Sequence, residues 1–166
     1  QWSSSAASDV YKRQDRGNSG SSTASAEGTV EWIRQMGTSY NDYAYDITTD
    51  SSGNVYVTGY TAGDLDGSNA GSHDVVVVKY DNDGNEQWTK QLGTSSHDGA
   101  TGIATDSSGN VYVTGSTEGD LDGSNAGSSD LFVVKYDSGG AKQWTKQLGT
   151  SSHDGAVSYT HLTLPT

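Results

Sequence analysis

Apolar residues come in short runs along this chain, and nowhere in the repeated part do they recur at helical spacing. The stretches "DVVVVKY" at 74–80 and "DLFVVKY" at 130–136 are apolar at consecutive positions, as in strands covered on both faces. The segments 43–49, 54–60 and 86–92, with 99–105, 110–116 and 142–148, read as further short strands. Turns of one grammar, Asp-x-x-Gly, punctuate them at Asp50–Gly53, Asp81–Gly84, Asp106–Gly109 and Asp137–Gly140. Asp suits the first position of a type I turn, and Gly supplies the left-handed residue that closes a hairpin as a bulge. The first and second strands of each set of four are therefore expected to form one hairpin. The third and fourth form another.

The pattern repeats. Trp32, Trp88 and Trp144 are spaced by 56 residues, and 31–86 aligned with 87–142 gives 37 identities without a gap. Residues 143–156 then match 87–100 at all 14 positions. Four-stranded antiparallel units at this period predict an all-β fold, a β-propeller segment of about two complete repeats with one blade each. A β-solenoid is the rival, but its repeats are usually shorter and lack paired hairpins. Trp88 and Leu92 share one face of the fourth strand and are expected between blades. The boundaries expected are a Gly/Ser-rich linker or blade remnant at 15–27 and the outer strand of a preceding blade at 28–37. Blades follow at 38–93 and 94–149, and 150–156 starts the next.

"DSSGNVYVTG" followed by "VVKYDNDGNEQWTKQLGTSSHDGA" is similar to the bacterial SBBP-type β-propeller repeat, over about 28–156. The resemblance implies a propeller in a large secreted or surface-anchored bacterial protein, hence an extracellular or cell-surface location. It implies little about biochemical role.

The two ends lie outside this pattern. DNA that encodes "SSAASDVYKRQ" at 4–14 has a reverse complement that encodes "VSYTHLTLPT", residues 157–166. Natural termini have no reason to encode each other on opposite strands, and the DNA resembles a transposase adapter used in sequencing libraries. Segments 1–14 and 157–166 are therefore expected to be translated adapter, flanking part of a longer reading frame, and are set aside from the fold.

Composition sharpens the class. Of 166 residues 22 are Gly and one is Pro, and among the 31% that are hydrophobic Val and Tyr each outnumber Leu, which favours strands. A formal charge of −12 argues against nucleic acid and against an anionic membrane surface as partners. No apolar run is long enough to insert in a membrane. With no Cys, disulfides, thiolate metal sites and thiol nucleophiles are excluded.

Three motifs could carry chemistry. "DNDGN" at 81–85 resembles the start of a calcium loop, but its counterpart "DSGGA" at 137–141 keeps only what a turn needs. The loops "GDLDGSNAGSHD" at 63–74 and "GDLDGSNAGSSD" at 119–130 are richer in oxygen donors. Ca²⁺ is a possible cofactor there, with Asp64, Asp66, Asn69 and Asp74 as ligands in one blade and Asp120, Asp122, Asn125 and Asp130 in the next. The competing reading is a solvated turn. His97 and His153 each precede an Asp, but Asn41 stands at the equivalent place in the first repeat and Ser129 replaces His73. What persists is Asp42, Asp98 and Asp154, as expected of a carboxylate that holds a tight interblade connection. No catalytic residue is assigned.

Near-identity of polar residues between blades suits a noncatalytic scaffold, adhesive or binding module for a protein or glycan ligand. The exposed interblade faces of an open arc are expected to self-associate. The alternatives are a propeller enzyme of lyase or lactonase type with its catalytic residues elsewhere, and a lectin-like sugar binder with one pocket per blade.

Overall fold

The structure is a computed structural model and describes residues 29–157. The adapter-like segment 1–14, the linker at 15–27 and all of the adapter-like segment 157–166 except Val157 lie outside the described residues. All strands belong to one compact unit that begins at Trp32.

Eight strands form two four-stranded sheets. The first holds β1 (Asp42–Thr49), β2 (Val55–Thr61), β3 (Asp74–Tyr80) and β4 (Glu86–Leu92), and the second holds β5 (Asp98–Thr105), β6 (Val111–Thr117), β7 (Asp130–Tyr136) and β8 (Lys142–Leu148). Each sheet runs in chain order with every neighbour antiparallel. The two registers match residue for residue at an offset of one repeat, including a bulge between Ala44 and Asp46 and its copy between Ala100 and Gly102.

The Asp-x-x-Gly grammar acts as expected. Gly53, Gly84, Gly109 and Gly140 all have positive φ, between 76° and 83°, where a side chain would be strained. In each turn the Asp carboxylate accepts backbone N–H groups, as Asp50 Oδ1 does from Ser52 at 2.9 Å and Asn54 at 3.0 Å. These bonds favour the ionised carboxylate. Burial works to raise the Asp50 carboxyl, but the Asn54 amide, the Tyr56 hydroxyl and the backbone donors outweigh it and hold it below its ordinary 3.8. The Asn85 backbone N–H lowers Asp81, and the Asn110 side chain lowers Asp106. A folded value below the unfolded one stabilises above the unfolded pKa and is lost as pH falls through the folded pKa. Melting temperature should therefore fall on acidification below about pH 4. A melting temperature flat through that range would show that these turns carry no such linkage.

The blades pack face to face. Tyr56, Val75 and Val77 of the first sheet share one core with Ile103, Phe132 and Val134 of the second, and Trp88 and Leu92 pack against it. The alternate side chains of β3, Val76, Val78 and Tyr80, form a second cluster on the other face with Met36, Val55 and Val57. The doubly apolar third strand thus has both faces covered, as its sequence predicts. Apolar burial of this kind supplies most of the driving force.

Tryptophans join neighbouring blades. Trp88 on β4 lies 6.3 Å from the Tyr136 ring and donates Nε1–H to the Ser138 carbonyl at 3.2 Å. Trp32 repeats the arrangement one blade earlier, 6.2 Å from Tyr80 and bonded to the Asn82 carbonyl at 3.1 Å. Of the outer strand expected over 28–37, the described part, 29–37, is nevertheless not a strand. Residues 29–37 have no ladder partner among the described residues, and a strand exists only where its backbone is paired.

Trp144 meets Tyr112 of its own blade, and 40% of it is exposed, with Leu148 beside it on β8 70% exposed. Uncovered interblade faces of this kind favour association. The purified chain is expected to sediment as concentration-dependent oligomers. A monodisperse monomer at high concentration would contradict this.

Candidate functional site

Antiparallel order sends the Asp-x-x-Gly turns to one end of each sheet and the long loops to the other. The long loop of the first blade (62–73) there meets the connection 93–97. Ser72 N–H donates to the Ser96 carbonyl at 3.1 Å, and Asp98 N–H donates to the His73 carbonyl at 2.9 Å. In the second blade Asp154 N–H donates to the Ser129 carbonyl at 2.7 Å.

Asp98 organises the connection. Its Oδ2 accepts the Thr94 backbone N–H at 2.6 Å and the Thr94 hydroxyl at 2.8 Å, while Oδ1 accepts the Thr117 hydroxyl. Asp42 and Asp154 hold Thr38 and Thr150 in the same way. The His97 ring packs instead against Tyr60 at 5.7 Å, so the neighbouring His and Asp point to different places. The described hydrogen bonds include no Ser–His–Asp relay.

The eight residues considered for calcium occupy the loops, and each has a hydrogen-bonding role there. Asp64 Oδ1 accepts Asn69 N–H at 2.7 Å, and Asn69 Oδ1 accepts Gly71 N–H at 2.8 Å. Asp74 Oδ2 accepts from Ala70 N–H and from the Gln91 amide, both at 2.9 Å. Asp66 pairs with Lys90 at 3.3 Å in a solvent-exposed bridge of small energetic worth. Asp120, Asn125, Asp130 and Asp122 repeat these roles, the last with Lys146 at 3.1 Å. Among the described residues no three His, Asp or Glu side chains come together as a metal cage. Asp74 Oδ1 and Asp130 Oδ1 are buried without a hydrogen bond. They lie against the Cα atoms of Gly93 and Gly149, filling the space a side chain would take there. Weak Cα–H···O contact accounts for that placement. The ligand role is tested by millimolar calcium: a rise in melting temperature that is lost in an Asp120→Ala/Asp122→Ala double variant would show it, and an unchanged melting temperature would show solvated turns.

One loop-shaping residue is not evident from the sequence. Gln91 Oε1 accepts the Leu65 and Asp66 N–H groups at 2.9 and 3.1 Å, and Nε2 donates to the Gly63 carbonyl at 3.0 Å as well as to Asp74. Gln147 does the same for the second loop. The only signal was its recurrence in "QWTKQL".

The repeats also differ in a concentrated way. Tyr43, Tyr45, Tyr60 and His73 become Gly99, Thr101, Ser116 and Ser129, while Asn41 becomes His97. The fold gathers the distinctive residues at the junction of the two blades. The Tyr60 ring lies 5.1 Å from Tyr43, 5.7 Å from Tyr45 and 4.7 Å from His73, and His73 lies 4.5 Å from His97. Burial, with the phenols of Tyr45 and Tyr43 beside it, pushes the Tyr60 hydroxyl pKa up. The blades therefore share one loop frame but not one set of surface side chains.

Four-stranded antiparallel sheets, one for each 56-residue step and packed face to face, define this chain as β-propeller blades. The family model described as SBBP beta-propeller repeat matches residues 31–66 and 87–122, once in each 56-residue step. The second match runs from β4 through β5 and β6 and so straddles the two sheets, whereas the first runs from the unpaired Trp32 segment through β1 and β2. The chain is 28% identical over 143 residues to the regulatory protein FlaEY of Caulobacter vibrioides, an alignment covering 79% of this chain. It is 26% identical over 168 residues to an uncharacterized WD repeat-containing protein of Acanthamoeba polyphaga mimivirus, covering 76% of this chain. The chain spans 14% and 12% of the length of those two proteins.

Proposed function

We propose that the chain is a noncatalytic propeller module of a secreted or surface-borne bacterial protein, presenting its loop face to a protein or glycan ligand. The observation that carries this reading is the duplicated loop frame. Gln91 with Asp74, and Gln147 with Asp130, fix two loops, identical in sequence over 63–72 and 119–128, in the same conformation. The carboxylates that could have served acid–base chemistry are held by backbone and side-chain donors, which leaves the loops as preorganised presenting surfaces. The names of the two relatives, one regulatory and one a WD-repeat protein, support binding over catalysis.

The test uses the complete propeller on glycan and peptide arrays. A Ser68→Arg/Ser124→Arg variant alters the loop face, and a Ser52→Arg/Ser108→Arg variant alters the opposite, turn-bearing end. Binding should be lost only in the first. Loss only in the second, or turnover of a bound sugar or lactone, would contradict the proposal.

A further inference from the structure

The junction between the blades holds a pair of imidazoles that no other part of the described chain reproduces. His73 ends the long loop of the first blade, and His97 lies in the connection to the second. The two positions form a parallel bridge, locked by the bond from Asp98 N–H to the His73 carbonyl at 2.9 Å. Their ring centroids are 4.5 Å apart, with 40° between planes. Tyr60 packs edge-on to both, at 85° to His73 and 62° to His97, and so restrains the rings. Ser72 Oγ lies 2.9 Å from His73 Nδ1. In the tautomer whose Nδ1–H donates to that hydroxyl, Nε2 presents a free lone pair.

We propose that His73 and His97 together bind a divalent transition cation of the Zn²⁺, Ni²⁺ or Cu²⁺ class, shared between the two blades. Imidazole nitrogen suits these ions, whereas Ca²⁺ and Mg²⁺ require oxygen ligands. Two imidazoles on one ion, each bonded at about 2.0–2.1 Å, hold their rings at a separation of the order seen here. Among the described residues no third His, Asp or Glu completes a cage. The ion therefore keeps water in its remaining positions and exchanges, unlike the ion of a closed structural site. A net charge of −12 raises the local cation concentration. The second junction is a natural control, because Ser129 faces His153 there. Since the two ligands come from the loop of one blade and the approach to the next, bound metal ties these segments together and stabilises the fold by mass action.

The experiment titrates the metal-stripped full chain with Zn²⁺ and, separately, with Ni²⁺, Ca²⁺ and Mg²⁺, following melting temperature and binding heat. Two variants exchange residues between the repeats, His73→Ser and His97→Asn, so each carries a side chain already tolerated at the equivalent place. A His153→Ser/His161→Ser variant removes the other histidines. Zn²⁺ and Ni²⁺ should raise the melting temperature, and Ca²⁺ and Mg²⁺ should not. Each junction variant should weaken binding by about 10- to 100-fold or more, no less than the loss of an outer-shell partner does at established sites. The His153→Ser/His161→Ser variant should bind as the parent does. Undiminished affinity in either folded junction variant, or loss of binding in the His153→Ser/His161→Ser variant, would overturn the proposal.

Discussion

Replacing Phe132 by alanine is expected to destabilise the protein by about 3–5 kcal/mol, the usual cost of emptying a large buried aromatic site. Phe132 is 0% exposed at the centre of β7, in the cluster that unites Tyr56, Val75 and Val77 of one sheet with Val113 and Val134 of the other. The cavity would therefore open between the blades, where both sheets lose contacts and neither can relax without disturbing the other. Leu131, its neighbour on the opposite face of β7, is only half-buried, so Leu131→Ala should cost clearly less. Phe132→Val places the residue that the first repeat carries at Val76 and should fall between the two. Urea unfolding of the three variants checks the order, and equal costs for Phe132→Ala and Leu131→Ala would show that the interblade face is not the core.

The second large effect is expected at Asp98. Its carboxylate is fully buried and receives three donors, two from Thr94 and one from Thr117. Alanine takes this acceptor from the half-buried Thr94 donors and from the buried Thr117 hydroxyl, at about 1–3 kcal/mol for a buried group left unpaired. Asp154 holds Thr150 with the same geometry, but Thr150 is exposed, so water can replace the lost acceptor in Asp154→Ala. Denaturant midpoints should therefore drop far more for Asp98→Ala than for Asp154→Ala. If the two dropped equally, burial would not be what makes this carboxylate matter.

The parts of the fold that local chemistry controls were readable in advance. Asp at the start of each tight turn and Gly at its close set the strand ends to within about a residue, because only Gly accepts the backbone conformation found at Gly53 and Gly109 without strain. Consecutive valines in "DVVVVKY" announced a strand with no solvent face, and Val75 through Val78 are all buried. The interblade placement of Trp88 and Leu92 followed from their shared face. The segment 28–37 shows where that logic stops, since its composition reads as a strand but pairing depends on a neighbour.

The loop face was less readable, for a different reason. Closely spaced acids and amides have the same sequence signature whether they surround an ion or cap their own backbone. In Asp64, Asn69 and Asp74 the carboxylate and amide oxygens face N–H groups of the loop itself. Gln91 reaches residues 25 to 28 positions away, a reach that local spacing does not encode. Along the sequence Tyr43, Tyr60, His73 and His97 are scattered departures from the repeat. Only the strand order, which sets Tyr43 opposite Tyr60 and His73 beside His97, makes them one cluster.

The packing of one repeat against the next as propeller blades is tested most directly by through-space NMR between their aromatic rings. Trp88 of the first sheet and Tyr136 of the second are 48 residues apart in sequence, with ring centroids 6.3 Å apart. Cross-peaks between the Trp88 indole and Tyr136 ring protons, lost in Tyr136→Leu while the Trp88–Tyr56 cross-peaks remain, are the expected result. Trp88 cross-peaks confined to its own sheet, with none to Tyr136 in the folded protein, would contradict the blade-on-blade arrangement.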